Sequence, residues 1–220
     1  MADLMESLIG QIPDGQRFPL SGTIELTYRC NLRCVHCFCN LPRSVSAQRQ
    51  ELPLEVLERV LKEISAQGCL MVNLSGGEPL LRKDFDDIVT AARRAGLLVT
   101  VATNGTLMSP EVFSRFRRLG VARLEISLYG LCAATHDAVT GVKGSFQRTI
   151  TCLKYVLEKG MPVLVRCPAM RCNYSEIPEL KRMVESLGAL FLTSPLIVRR
   201  IDGATTRRSG SPTYVRWRSP

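Results

Sequence analysis

Aromatic residues make up only 6% of the 220-residue chain, with one tryptophan, and histidine occurs twice. No stretch interleaves aromatics with basic residues as a single-strand nucleic-acid binder would, so its stacking platform is not expected. No apolar run approaches the roughly 18 residues of a membrane span. The opening Met1-Ala2-Asp3-Leu4-Met5-Glu6 lacks the basic segment that precedes the apolar stretch of a secretory signal. A membrane is therefore not an expected partner, and a cytoplasmic location is expected. The nine cysteines are odd in number, so a disulfide framework is not expected either, and a reduced chain with a metal site is.

What is present fits a globular protein. The length suits one domain of ordinary size or a little more. With 45% apolar and 22% charged residues, wholesale disorder is excluded. The net charge of +9 invites a phosphate-binding reading. Its distribution argues against one, because residues 196–220 hold six arginines against a single acid, Asp202. Nucleic acid is not an expected partner.

Short β-rich runs alternate with longer amphipathic ones. Thr23–Tyr28 has the period of a strand. Leu57, Val60, Leu61 and Ile64 then follow helical spacing between Pro53 and Gly68. Strands are expected at Leu70–Leu74, Leu97–Ala102, Arg123–Leu128, Pro162–Cys167 and from Leu190. Helices are expected through Phe85–Ala92, from the cap Ser109 to Gly120, through Phe146–Leu157 and through Ile177–Leu187. Five βα units followed by a strand imply an α/β fold with a parallel sheet and helices outside. Doubly wound and barrel forms both fit. In either, ligands gather at the C-terminal strand ends.

The first strand runs into Cys30-Asn31-Leu32-Arg33-Cys34-Val35-His36-Cys37. Three thiols so spaced can wrap one metal centre. Spacing alone leaves two readings open: a structural zinc site completed by Cys39 or His36, or a [4Fe–4S] cluster held by three thiolates with one iron left open. Cys69, Cys152 and Cys167 lie among apolar residues and read as small core hydrophobes.

The Cys-x3-Cys-x2-Cys run after a first strand resembles the radical S-adenosylmethionine (radical SAM) superfamily. Ser75-Gly76-Gly77-Glu78-Pro79, at the end of the second strand, is similar to that family's Gly-Gly-Glu-Pro motif. In detail the resemblance is to peptide- and cofactor-maturing members, which often carry a C-terminal SPASM or related cluster domain. It rests on Thr103-Asn104-Gly105-Thr106-Leu107, on Ser127-Leu128-Tyr129-Gly130, and on His136-Asp137 with Gly144-Ser145-Phe146.

The resemblance, which covers about residues 20–198, implies a partial (β/α)6 TIM-like barrel. Cys30, Cys34 and Cys37 would ligate the cluster. Gly76 and Gly77 would let S-adenosylmethionine approach the backbone, with Glu78 as an anionic partner for cationic groups nearby. Asn104 and Ser127 would hydrogen-bond its ribose or amino-acid part. The implied chemistry is reductive cleavage to a 5′-deoxyadenosyl radical that abstracts hydrogen from a peptide or small-molecule substrate. A low-potential donor of the flavodoxin or ferredoxin type would supply the electron. Many relatives follow the His-Asp pair with an arginine that clamps the cofactor carboxylate; here Asp137-Ala138-Val139-Thr140-Gly141 has none, leaving Lys143 or Arg166 as substitutes.

Three domains are expected: an N-terminal extension over 1–20, a core over 21–195, and a basic, disordered tail over 196–220. With no cysteine beyond Cys172 and no helix after the sixth strand, the chain reads as truncated, or as changing reading frame near Asp202. The alternatives to an enzyme core are a non-catalytic zinc or iron–sulfur module and an inactive fragment of a longer enzyme.

Overall fold

Each β-rich run becomes a strand and each amphipathic run a helix in the computed structural model, which describes residues 19–37 and 51–195. The order is β1 (Ser21–Glu25), α1 (Leu54–Ala66), β2 (Met71–Ser75), α2 (Phe85–Arg94), β3 (Leu98–Thr103), α3 (Pro110–Leu119), β4 (Val121–Ser127), α4 (Ala133–Thr140), α5 (Ser145–Glu158), β5 (Val163–Pro168), α6 (Ile177–Ser186) and β6 (Leu190–Ser194). Apart from Pro19 and Leu20, the expected N-terminal extension lies outside the described residues. So do the basic tail and Cys39.

The six strands are all parallel and lie in chain order, β1-β2-β3-β4-β5-β6. Right-handed crossovers that always step the same way put every helix on one face. This is the singly wound, partial (β/α)6 barrel, not the doubly wound form. Val72, Leu74, Val99, Val101, Leu124, Ile126 and Val165 point outward and are fully buried against the helices. Asn73, Thr100, Arg123, Glu125 and Arg166 alternate with them on the inner wall.

Local chemistry sets the helix ends. Asp86 and Asp87 open α2 and Arg93 and Arg94 close it, each pair complementing the helix dipole. The Ser109 hydroxyl accepts from Val112 N (3.3 Å), Pro110 starts α3, and Gly120 ends it in the left-handed region.

Two expectations need correction. The first strand stops at Glu25, three residues early, because Leu26–Arg29 turn to bond the loop after β2. Helix α4 has no counterpart in the hydrophobic pattern, since its buried face is His136, Val139 and Thr140, two of them polar. One register shift interrupts the sheet: Val99 pairs with Val121 but Thr100 with Arg123, leaving Ala122 as a bulge.

Candidate cofactor site

All the motif residues lie at the C-terminal strand ends. The cysteine loop is braced at both ends by Arg82, a buried residue. Its guanidinium donates to Leu26 O (2.8 Å) at the exit of β1 and to Leu52 O (2.5 Å) where the chain approaches α1, while Asp84 pairs with it at 2.7 Å. Along the loop, Arg33 N and Val35 N donate to Thr140 O (2.8 Å) and Val139 O (2.9 Å), satisfying the orphan carbonyls at the end of α4. The His-Asp motif also finds its reason here. The Asp137 carboxylate accepts from Gly144 N, Ser145 Oγ and Phe146 N at 2.6–2.8 Å, capping α5.

The three thiols lie close enough for the charge of one to act on another. Burial pushes Cys30 up to about 11, with the nearby negative charges of Glu78 and Cys37 adding to it. Burial, then the charges of Cys30 and Cys37, pushes Cys34 up to about 12. Cys37 N donates to Cys34 O (3.1 Å) and Leu32 N to Cys30 Sγ (3.4 Å), folding the loop around its own sulfurs.

The Gly-Gly-Glu turn packs directly on this loop. Gly77 N donates to Thr27 O (2.6 Å) and Glu78 N to Arg29 O (2.8 Å). A Cβ at Gly76 would stand 2.4 Å from Thr27 O, and one at Gly77 2.2 Å from Arg29 O. The close approach these glycines permit is therefore that of the cysteine loop itself. The Glu78 carboxylate is fully buried and accepts from Thr103 Oγ1 (2.9 and 3.0 Å), Asn104 N (2.9 Å) and Leu80 N (3.3 Å). Burial raises it to about 7 against these bonds. It ties the end of β2 to the end of β3.

Asn104 is likewise committed. Its Nδ2 donates to Asn31 Oδ1 (2.8 Å) and reaches Cys30 Sγ at 3.9 Å. Thr106 Oγ1 donates to Asn104 Oδ1 (2.6 Å), and Asn31 Nδ2 to Thr106 Oγ1 (2.7 Å). These three side chains close a ring beside the first cysteine. A ribose contact through the Asn104 side chain would have to open that ring.

Ser127 ends β4, two residues before Tyr129, a buried residue that packs with Val139 and Met170 against Cys34. Its ring lies between the histidines, 4.8 Å from His36 edge-on and 5.4 Å from His136 in a stack. Burial holds both imidazoles down at about 4, so they are neutral. His136 Nδ1 accepts from Tyr129 N (3.1 Å), and the residue is buried. Of the two substitute clamps, Lys143 is exposed, and Arg166 is paired through Nε to Glu125 (2.6 Å), which also holds Arg123 (2.9 Å).

Three cysteine thiols at the end of one strand are the donor set that would hold a [4Fe–4S] cluster with one iron left open. Among the described residues, no group of three or more His, Cys, Asp or Glu is drawn together as a site for a single metal ion. His36 Nδ1 is buried and has no hydrogen-bond partner among the described residues. No helix among the described residues is long and apolar enough to cross a membrane.

Known proteins resemble this chain over most of its length. The chain is 37% identical over 166 residues to the AdoMet-dependent heme synthase of Methanosarcina barkeri (strain Fusaro / DSM 804), covering 76% of this chain and 47% of that enzyme. It is 30% identical over 171 residues to the PqqA peptide cyclase of Gluconobacter oxydans (strain 621H), covering 78% and 47%. The chain thus spans about half the length of these curated relatives. Streptococcus suis SuiB bound to S-adenosylmethionine shares the fold, with a TM-score of 0.71 at 22% identity over 87% of this chain and 44% of that one. The model of the radical SAM superfamily matches residues 24–184, and the chain belongs to that superfamily.

Proposed function

We propose that this chain is the core of a radical SAM enzyme, in which Cys30, Cys34 and Cys37 hold a [4Fe–4S] cluster and the Gly76–Glu78 turn borders the S-adenosylmethionine site. The observation that carries this reading is the direct bonding of the cysteine loop to the Gly-Gly-Glu turn at one mouth of the barrel. Bound there, the two cofactors supply an electron and the 5′-deoxyadenosyl radical for hydrogen abstraction.

The chain's own residues do the positioning. Arg82, Thr140 and Val139 fix the course of the cysteine loop. Glu78 locks the ends of β2 and β3 at a set distance behind it. Tyr129, Val139 and Met170 pack beside Cys34 and keep water from that sulfur. The inner wall below the mouth is polar and accessible through Arg123 and Arg166, so a substrate lowered into the barrel meets guanidinium groups.

A peptide or small molecule is the proposed substrate, and the likeness to a peptide cyclase supports the peptide. The proposed electron donor is a flavodoxin or ferredoxin. Cytoplasmic placement is part of the same proposal.

Anaerobic reconstitution tests this reading. The expected result is about four iron and four sulfide per chain, with release of 5′-deoxyadenosine and methionine from S-adenosylmethionine under dithionite. A Cys34→Ala control is expected to show neither. One colourless zinc per chain, or a complete cluster that never cleaves the cofactor, would overturn it.

A further inference from the structure

The cysteine loop turns two side chains to the solvent, Arg33 and Val35, the second 48% exposed. Their backbone N–H groups bond to the end of α4, so the turn from α4 to α5 runs beside them. A Cβ on Gly141 would stand 3.2 Å from Arg33 Cβ, and one on Gly144 would stand 3.6 Å from Arg148 Nη1. Lys143 lies between those glycines and is exposed, as is Arg148. Among the described residues, Arg33, Lys143 and Arg148 have no ion pair. Over residues 26–37 and 131–150 the sequence offers a single acid, Asp137. Its carboxylate is already held by Gly144 N, Ser145 Oγ and Phe146 N.

Helix electrostatics do not account for these cations. Lys143 and Arg148 stand at the start of α5, where the dipole favours acids, and its first turn has none. A second basic group does have that account. Arg93, Arg94, Arg117 and Arg118 close α2 and α3, where cations belong, at the N-terminal edge of the sheet and away from the cysteine loop.

We propose that Arg33, Lys143 and Arg148, with the apolar tip of Val35 beside them, are the docking surface for an acidic one-electron carrier protein. The proposal rests on the cluster reading above and deepens it, by placing the donor on the solvent side of the cysteine loop. Val35 is joined directly to Cys34, so a carrier seated on it stands against the sulfur-bearing loop. One electron leaves the reduced carrier and enters the cluster, and no bond is made or broken. Redox partners of this kind meet over small interfaces, and opposite charge brings them together. A small apolar contact inside a charged rim suits that encounter.

The test is calorimetric binding to the reconstituted, oxidised chain, with purified oxidised flavodoxin and oxidised ferredoxin as separate probes. At low salt, Lys143→Glu/Arg148→Glu is expected to weaken binding of the preferred carrier about tenfold or more. Neither residue lies in the cysteine loop, and acids at the start of α5 suit its dipole, so folding and iron content are expected to hold. At about 1 M salt, where the screening length is about 3 Å, the difference from wild type is expected to vanish. Arg117→Glu/Arg118→Glu makes the same change of charge at the far edge of the sheet and is expected to leave affinity within about twofold. Wild-type chain with a full cluster that binds neither carrier overturns the proposal. So does an equal loss in both double variants, or a loss that persists at high salt. Wild-type chain that takes up no iron and sulfide overturns the parent reading instead, before any carrier is added.

Discussion

The outer and inner walls of the sheet are made from alternate residues of the same six strands, yet they do different work. The outer wall is apolar and closed: Leu74, Val101, Leu124, Ile126 and Val165 sit fully buried under the helices. The inner wall carries Asn73, Thr100, Arg123, Glu125 and Arg166, joined by hydrogen bonds and ion pairs. Burial of apolar surface stabilises a fold without regard to direction. Hydrogen bonds to particular sulfurs and carbonyls depend on direction entirely. Stability therefore resides outside and positioning inside, and substitutions should separate the two.

Gly77→Ala is the sharpest attempt to break that separation. A Cβ 2.2 Å from Arg29 O forces the two loops apart. A loss of about 3 kcal/mol or more and of iron binding together is expected, measured by urea denaturation and iron analysis. Cys34→Ala should remove iron completely while the thermal midpoint of the metal-free chain changes little. Leu124→Ala should do the reverse, costing about 2–5 kcal/mol in urea while each folded molecule still takes up its cluster. Glu78→Gln gives a smaller, pH-dependent difference. The carboxyl titrates near 4.5 unfolded and about 7 in the fold. Its contribution to stability is fully present below pH 4.5 and is lost as pH rises through about 7. The stability gap between wild type and Glu78→Gln should shrink over that interval, and a constant gap in denaturation curves would refute it. The smallest effect is expected for Gly22→Ala on β1, where nothing lies within 4 Å of the added Cβ. A gain of less than about 1 kcal/mol in a thermal melt is expected.

The outer wall was legible in the sequence because it is periodic. Apolar residues at helical and strand spacing marked every strand and five of the six helices, and the glycines at 68, 96, 120, 160 and 188 marked the ends. The cysteine triplet and the Gly-Gly-Glu turn were legible because three thiols and two adjacent glycines are rare in such an arrangement. Arg82 and Tyr129 left no such signal. Each acts on a residue far along the chain, through a bond to Leu26 O for the one and by packing against Cys34 for the other. Only the fold brings those partners together. The hydrogen bonds that Glu78 and Asn104 make within the protein were not legible, because spacing tells which side chains reach a strand end but not which of them already have partners.

One feature of the sheet bears on how such a barrel can change. Ala122 has no partner on β3, and because of it Val121 faces the helices while Arg123, two residues on, faces the opposite way. That single unpaired alanine acts as a phase shift in an alternating pattern. Deleting it would leave Val121 beside Val99 and Arg123 beside Thr100, a regular ladder with every side chain on the face it already has. The start of β4 thus absorbs one surplus residue while Leu124 and Ile126 stay under the helices and Glu125 stays on the lumen wall, so chain length can vary there without relining the barrel.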